Sequence, residues 1–288
     1  MSLFNLNFLR VVFCVALLIA CNSSTAEKKD NIPTNKSVGD GAGISKQLVN
    51  NEPIEFSGLK IKYKKYSAKK CLDPIPSEDD EDEFQETEPF CAKREVTLMR
   101  VYLTDNDISD KINAAILKSV TNQDNGTINI NSFVDEVYEE ENYYDACEEE
   151  TTCEALDFNE AFLSISITSY IYCNGAAHPS NQVQIQNFDL QTGEIINMRD
   201  LFNTGYKEKL KGIVEREFIK EHGYESWDFT PRNGSFKLSE NFSIGKKGLS
   251  FFYNEYEIGC YAAGVAELTI SWKDLLPLMK ENPYIELK

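Results

Sequence analysis

Histidine is scarce in this sequence, and several motifs that carry chemistry are missing. The 288 residues include two histidines, His178 and His222, and neither belongs to a spaced ligand motif. A catalytic zinc ion needs several protein ligands, so we expect no metal and no cofactor. The chain has no Cys-x-x-Cys pair, Gly-x-Ser-x-Gly elbow or Asp-rich calcium loop, which excludes thioredoxin chemistry, the esterase elbow and EF-hand binding. A Ser-His-Asp triad stays open, because its members need not be neighbours in sequence.

An apolar run long enough to span a bilayer is also absent near the N-terminus. Residues 11–20 form an apolar run of ten residues, whereas a membrane-spanning helix needs about 20. Arg10 precedes this run and no acidic residue occurs before Glu27, which is typical of an export signal. Leu18-Ile19-Ala20-Cys21 resembles the lipobox of bacterial lipoproteins.

The lipobox resemblance implies that Cys21 is lipidated and becomes the first mature residue. We therefore predict a lipoprotein signal peptide over 1–20 and a flexible tether over 21–52. The expected location is the cell envelope, lipid-anchored to a membrane, in the periplasm or at the cell surface. An ordinary cleaved signal with a chance cysteine is the alternative.

The cysteines that follow Cys21 form an even set. They are Cys71, Cys91, Cys147, Cys153, Cys173 and Cys260. An even number in an exported chain is typical of a disulfide framework, although six cysteines allow about 15 pairings. We favour a Cys71–Cys91 bridge across the base of an acidic loop. The short spacing of Cys147 and Cys153 favours a second bridge between them.

The charge balance is strongly acidic. Asp and Glu number 47 against 29 Lys and Arg, for a formal net charge of −18. This balance argues against binding to nucleic acid or to an anionic membrane surface, and it permits a basic partner. The carboxylates concentrate in residues 78–83 and 135–154. Such runs are either solvated loops or a patch that faces a partner.

The periodicity of apolar residues predicts an α+β fold, with antiparallel sheets, packed helices and two small subdomains. Ser109 and Ser132 are expected to cap the first two helices, and Asp200 a later one. We place an N-terminal α+β domain at 53–153 and a C-terminal one at 154–288. Strands are predicted over 56–66, 95–103, 163–173, 183–190, 194–198, 242–244, 249–253 and 267–272. Helices are predicted over 109–120 and 273–279. A further helix is expected to start at Ser132, and another to follow Asp200 and end at Gly223.

The C-terminal half carries a series of motifs in a specific order and spacing. These are Gly175-Ala-Ala-His178-Pro179, Asn187-Phe-Asp189-Leu-Gln-Thr-Gly193, Met198-Arg-Asp200-Leu-Phe202 and Tyr256-Glu-Ile-Gly-Cys-Tyr261-Ala-Ala-Gly264. The series resembles the extracellular domain of the anti-sigma factor RsiV and the accessory region of the peptidoglycan deacetylase PdaC. The resemblance covers residues 155–282, and residues 53–150 resemble the companion PdaC-like domain only loosely. The deacetylase's own His-x-x-x-His zinc motif does not occur.

The resemblance implies a non-catalytic binding module of the cell envelope. The family includes a lysozyme-binding member, so the expected partner is lysozyme or another basic envelope-active protein, or peptidoglycan. Cys173 and Cys260 stand beside the two best motifs, which favours a bridge between them. The alternative function is a hydrolase of envelope polymers or a peptidoglycan-binding accessory protein. A deep pocket that holds His178 among convergent carboxylates would favour the hydrolase.

Overall fold

Two β-sheets and the helices around them form the part of the chain that the structure describes. The structure is a computed structural model and describes residues 53–72, 90–123, 129–136, 146–222 and 236–285, all within one compact unit, Gly41–Lys288. The strands are β1 (Ile54–Phe56), β2 (Leu59–Leu72), β3 (Phe90–Tyr102), β4 (Cys147–Phe158), β5 (Phe162–Cys173), β6 (Ser180–Asp189), β7 (Phe242–Gly245), β8 (Gly248–Tyr253) and β9 (Ala266–Ser271). The helices are α1 (Asn106–Thr121), α2 (Ile130–Asp135), α3 (Met198–Leu201), α4 (Lys207–His222) and α5 (Trp272–Leu275). The α+β class is confirmed.

The larger sheet has six strands in the order β1-β2-β3-β4-β5-β6. β3 and β4 are parallel, with Val96 opposite Thr151, and the other neighbours are antiparallel. The prediction of antiparallel pairing is therefore wrong at this one place. Parallel neighbours need a crossover connection, and α1 and α2 lie on that crossover. None of the helices in the described ranges is long and apolar enough to cross a membrane.

The first hydrophobic core lies between the crossover helices and the larger sheet. Ile112 and Ile116 of α1 are completely buried in it. The helix starts earlier than predicted, because Asp105 accepts hydrogen bonds from the first-turn amides and acts as the N-cap. Ser109 is instead buried inside the helix, where its hydroxyl accepts a hydrogen bond from the backbone N–H of Leu103.

The second helix also begins before its predicted cap. Asn129 caps α2, and its side chain accepts a hydrogen bond from the backbone N–H of Asn131. Ser132 is an internal residue of the helix. The prediction overlooked asparagine, which is as good an N-cap as serine. Residues 137–145, predicted as the rest of this helix, lie outside the described residues.

The acidic segment that follows is a strand rather than the predicted loop. β4 contains Glu148, Glu149 and Glu150, and it is hydrogen bonded to β3 on one side and to β5 on the other. Arg94 stabilises it from β3 with a two-pronged ion pair, with its Nε 2.8 Å and its Nη2 3.1 Å from the Glu149 carboxylate oxygens. The predicted domain boundary between residues 153 and 154 falls inside this strand.

The second hydrophobic core lies between the smaller sheet, β7-β8-β9, and helices α3, α4 and α5. Phe218 of α4 packs edge-on to Tyr253 of β8, with ring centroids 5.7 Å apart. Met198 starts α3, so the predicted strand over 194–198 is reduced to a single bridge between Phe188 and Ile195. The predicted cap Asp200 is instead the third residue of α3: Asn197 is the N-cap, and the Asp200 Oδ2 accepts a hydrogen bond from its backbone N–H. Gly223, the predicted end of α4, lies outside the described residues.

Two disulfides link neighbouring strands of the larger sheet. The predicted Cys71–Cys91 bridge is confirmed between β2 and β3. The other bridge joins Cys147 to Cys173, which lie opposite each other on β4 and β5. The predicted Cys147–Cys153 and Cys173–Cys260 bridges are therefore wrong.

Strand geometry explains the wrong cysteine pairing. Cys147 and Cys153 lie on the same extended strand, and six residues of strand span roughly 20 Å, far beyond the reach of a disulfide. Cys153 is a buried free thiol, and burial raises its pKa to about 12. Cys260 is a half-buried free thiol.

Candidate functional site

Three aromatic residues from two loops meet at one end of β5 and β6. His178 comes from the loop between these strands, and Tyr256 and Tyr261 come from the loop that follows β8. The imidazole stacks on the Tyr261 ring with centroids 3.7 Å apart, and Tyr256 lies 6.0 Å from Tyr261. We call these residues the His–Tyr cluster. The sequence had predicted that these two loops meet through a disulfide, and they meet through stacked rings instead.

Hydrogen bonds occupy both ring nitrogens of His178. Nδ1 lies 2.9 Å from the carbonyl oxygen of Pro179, and Nε2 lies 3.2 Å from the Tyr256 hydroxyl. A carbonyl oxygen only accepts, so Nδ1 carries a proton and donates it. In the neutral ring, Nε2 then accepts from the tyrosine hydroxyl. His178 is exposed, so the cluster is presented to solvent.

Local backbone conformation shapes both loops. Tyr256 has a φ of +66°, and Gly175 and Gly264 have φ of +77° and +66°. A tyrosine in this left-handed region is unusual, and such residues occur where the surrounding structure holds them. The two glycines adopt the same region without a steric penalty. The presence of Gly175, Tyr256 and Gly264 in the sequence motifs is thus explained by the turns that bring the rings together.

Side chains from the segments just before β7 and just after β8 form hydrogen bonds with β6. Asn254 and Asn241 accept hydrogen bonds at 2.7 Å from the backbone N–H groups of Val183 and Ile185. Glu255 accepts hydrogen bonds from the backbone and side chain of Asn181 at 3.2 and 3.0 Å. These contacts satisfy amides at the edge of the larger sheet, and they place Tyr256 and Tyr261 over the end of β6.

An acidic and aromatic surface continues from the cluster across β5 and β4. Tyr170 and Tyr172 of β5 lie directly opposite Glu150 and Glu148 of β4, and residues opposite each other share a face of the sheet. Burial, followed by the charge of Glu255 and the nearby Tyr256 and Tyr170, raises the pKa of Tyr261. That phenol is therefore neutral near neutral pH. We call the His–Tyr cluster together with Tyr170, Tyr172, Glu148 and Glu150 the acidic–aromatic surface.

The sequence missed the strand half of this surface. Tyr170 and Tyr172 show the period of two expected for one face of a strand, but the glutamates opposite them were assigned to a loop. The other face of β4 points towards α2, because Arg94 also donates to the carbonyl oxygen of Phe133 at 2.6 Å. The acidic–aromatic surface therefore lies on the face away from α2.

The remaining motif residues lie elsewhere and have structural contacts. Asn187 is buried and joins β6 to β7. Asp189 shapes the turn after β6 by accepting from the backbone N–H groups of Gln191 and Thr192, and its second oxygen accepts from the Tyr284 hydroxyl at 2.8 Å. Gly193 has a φ of +71°, and a Cβ there would lie 3.2 Å from the carbonyl oxygen of Ile108.

Two open clefts of about 540 and 650 Å³ lie on either side of the C-terminal segment around Pro283 and Tyr284, and His178 lines neither of them. Within the described ranges, no group of three or more His, Cys, Asp or Glu side chains could hold a metal ion. His222 ends α4, where its ring packs 4.5 Å from that of Phe218.

The comparisons with known proteins agree on one family of unknown function. Residues 199–273 match the family described as protein of unknown function DUF3298. A DUF3298-family protein of Bacteroides fragilis NCTC 9343 has a similar structure, with a TM-score of 0.63 and 18% identity over 77% of this chain and 95% of that chain. A DUF3298-family protein of Pseudomonas aeruginosa PAO1 gives a TM-score of 0.53 and 11% identity, over 76% and 94%. No curated protein matches the chain.

Residues 199–273 are therefore similar to the DUF3298 domain, and the fold is similar to that of two solved DUF3298-family structures. The matched residues include Asp200, Tyr256, Tyr261 and Gly264, whereas the loop of His178 precedes them. The closer likeness to RsiV-type and PdaC-type domains stays a prediction, as do the signal peptide and the lipidation of Cys21, which lie outside the described residues.

Proposed function

We propose that this protein is a non-catalytic binding protein of the cell envelope, and that the acidic–aromatic surface is its binding site. The proposed partner is a basic envelope-active protein, with lysozyme the first candidate. The observation that carries the proposal is the stack of the exposed His178 on the half-buried Tyr261, beside Tyr256. Aromatic side chains held in place by their own contacts are the residues that contribute most to protein–protein binding.

The geometry of the cluster favours binding because its rings are already ordered. Stacking and the Tyr256–His178 hydrogen bond fix three side chains before a partner arrives. Side chains that are ordered in the free protein lose less conformational entropy on binding, and affinity rises accordingly. Tyrosine also offers a large contact area with few rotatable bonds.

Charge supports a basic partner. Glu148 and Glu150 are exposed on the same face as the two tyrosines of β5, in a chain whose formal net charge is −18. Carboxylates at the rim of an interface mainly raise the association rate, and salt screens them beyond about 8 Å at physiological ionic strength. We expect the tyrosines to determine the dissociation rate.

The surroundings of His178 favour binding over hydrolysis. A general base needs a ring nitrogen that can reach substrate, usually with a carboxylate that orients the ring. Here a carbonyl oxygen and a phenol contact the two nitrogens, and the exposed imidazole lines neither of the two clefts beside the C-terminal segment. A lipid anchor on Cys21 would hold this surface where envelope-directed enzymes act. Steric occlusion of such an enzyme's substrate cleft would then inhibit it.

We expect Tyr261→Ala to weaken lysozyme binding strongly. The substitution removes the ring on which His178 stacks, and loss of a central aromatic anchor costs about 2 kcal/mol or more, roughly thirtyfold in Kd. The double variant Glu148→Gln/Glu150→Gln should mainly slow association and flatten its dependence on salt. Titration calorimetry gives Kd, and stopped-flow measurement gives the rates.

Matched variants keep this test specific. Tyr102→Ala removes an exposed tyrosine from β3, and Glu136→Gln/Glu221→Gln makes the same charge change at two exposed positions, the C-cap of α2 and the last turn of α4. Both controls should leave Kd unchanged within about twofold. If the oxidised, folded chain does not bind any of several lysozymes at low salt, the proposed partner is wrong. Binding that disappears at moderate salt without inhibiting the enzyme also counts against it.

A further inference from the structure

A cleft remote from the His–Tyr cluster has the composition of a ligand site. It has a volume of about 540 Å³, within the range of small-molecule sites. The residues that line it come from β1, the end of β4, the β7–β8 turn, α5 and the C-terminal segment; those used below are Phe56, Phe158, Trp272, Tyr284, Asp157 and Glu160.

Five aromatic residues line this aromatic cleft: Phe56, Phe158, Phe162, Trp272 and Tyr284. Phe56 is 42% exposed and meets Phe158 edge-to-face at 5.5 Å. The Trp272 indole N–H donates to the carbonyl oxygen of Gly245 at 3.1 Å, and the Tyr284 hydroxyl donates to Asp189 at 2.8 Å. Since the polar ends of Trp272 and Tyr284 bond to the protein, their orientation is fixed. A ligand would therefore meet ring carbons rather than a free indole N–H or phenol.

Polar groups alternate with these rings. Asp157 accepts from the backbone N–H of Lys246 at 2.7 Å through Oδ2 and from the backbone N–H of Phe158 at 2.9 Å through Oδ1. Each carboxylate oxygen has two lone pairs, so the geometry leaves capacity to accept from a ligand. Glu160 is exposed at the rim, where its Oε1 accepts from the Ser57 hydroxyl at 2.8 Å. Gln191 adds an exposed amide.

We propose that the aromatic cleft binds a short uncharged oligosaccharide, such as an N-acetylated one. The C–H face of a pyranose is apolar and weakly positive, so it stacks on the negative face of an aromatic ring. Its hydroxyl groups are donors that suit carboxylates and amides at the rim. The lining carries two carboxylates, Asp157 and Glu160, against one ammonium, that of Lys246, which lies 4.0 Å from Asp157 Oδ1. This net negative charge would disfavour an anionic polymer. This inference does not depend on the proposed partner of the His–Tyr cluster.

The test uses the purified oxidised chain and three trisaccharides: triacetylchitotriose, cellotriose and trigalacturonate. Trp272 is one of two tryptophans in the chain, so the Trp227→Phe variant leaves it as the single indole reporter. We expect the uncharged trisaccharides to change its fluorescence saturably and to release heat in calorimetry. Trigalacturonate should give neither signal. The absence of binding by uncharged trisaccharides at millimolar concentration, or equal binding of trigalacturonate, overturns the proposal.

Two substitutions and one control locate the site. Phe56→Ala removes a stacking ring and should raise Kd about fivefold. Glu160→Gln keeps the shape but weakens an acceptor of hydroxyl groups, with an expected rise also on the order of fivefold. Tyr102→Ala is the control and removes a ring that is 43% exposed. Tyr102 lies opposite Lys60 and Phe56 lies opposite Leu59, and consecutive residues of a strand point to opposite faces of the sheet. Tyr102 therefore lies on the other face from Phe56, and its removal should leave the saccharide Kd unchanged.

The outcomes separate this proposal from the one on the acidic–aromatic surface. Phe56→Ala and Glu160→Gln should retain lysozyme binding, and Tyr261→Ala should retain trisaccharide binding. If Phe56→Ala does not fold, as judged by circular dichroism, the exposed Glu160→Gln variant still decides. Saccharide affinity that is equal in wild type, Glu160→Gln and Phe56→Ala would contradict the assigned site.

Discussion

Replacing Asn187 with alanine is expected to destabilise the protein by about 3 kcal/mol or more. Asn187 is 2% exposed, and its Oδ1 accepts from the backbone N–H of Ile244 at 3.0 Å while its Nδ2 donates to the carbonyl oxygen of Phe242 at 2.8 Å. Ser164 lies 2.5 Å from the same Oδ1. The substitution removes the side-chain donor to the Phe242 carbonyl oxygen and one of two acceptors of the Ile244 N–H, the other being Ser164 Oγ at 3.1 Å. A buried group left unsatisfied costs about 1–3 kcal/mol, and the cavity left by the side chain adds to this cost. Urea unfolding of the purified chain measures the change.

An exposed asparagine provides the control for this result. Asn203 donates one hydrogen bond to the carbonyl oxygen of Met279, so Asn203→Ala should cost about 1 kcal/mol or less. The contrast tests the assignment of a structural role to the Asn-Phe-Asp motif. A cost for Asn187→Ala as small as that for Asn203→Ala would mean that the side chain does not join the two sheets.

Removing the Cys147–Cys173 bridge is expected to have the other large effect. The two cysteines are 26 residues apart in sequence, and the chain-entropy model assigns about 3.5 kcal/mol to closing such a loop. Cys147→Ala/Cys173→Ala should therefore lower the melting temperature by roughly 10 °C. The loss affects the end of β5 that leads into the loop of His178, so binding by the His–Tyr cluster should also weaken.

The control for the bridge is the half-buried free thiol at Cys260. Cys260→Ser should cost less than about 1 kcal/mol, because this residue forms no disulfide. Peptide mapping without reduction should recover Cys147 linked to Cys173 and Cys71 linked to Cys91. Recovery of a Cys173–Cys260 linkage, or a large loss of stability in Cys260→Ser, would contradict the strand pairing described above.

Strands with alternating apolar residues were predictable from the sequence, and the polar strand was not. Apolar residues alternate along β5 and are concentrated in β8, and both strands lie where they were predicted. β4 begins Cys-Glu-Glu-Glu-Thr-Thr-Cys, a composition typical of solvated loops. Its strand conformation depends on parallel pairing with the distant β3, on antiparallel pairing with the next strand, β5, and on the Arg94–Glu149 ion pair. Such non-local contacts leave no periodic signal in the segment itself.

The candidate site was half predictable for the same reason. The motifs marked the loops of His178 and Tyr261, and the structure brings those loops together. The predicted Cys173–Cys260 bridge was wrong because Cys173 lies opposite Cys147 in the β4–β5 register. That register could not be predicted, because β4 was not recognised as a strand. Glu148 and Glu150 joined the site only when β4 was placed beside β5.

Hydrogen–deuterium exchange of the free and lysozyme-bound chain tests the central claim most directly. Amides in residues 168–182 and 254–264, which include His178 and Tyr261, should exchange more slowly in the complex. α1, Asn106–Thr121, packs in the first core rather than on the acidic–aromatic surface, so its exchange should be unchanged. Protection confined to other segments, or no protection at saturating lysozyme, would contradict the claim that the acidic–aromatic surface binds this partner.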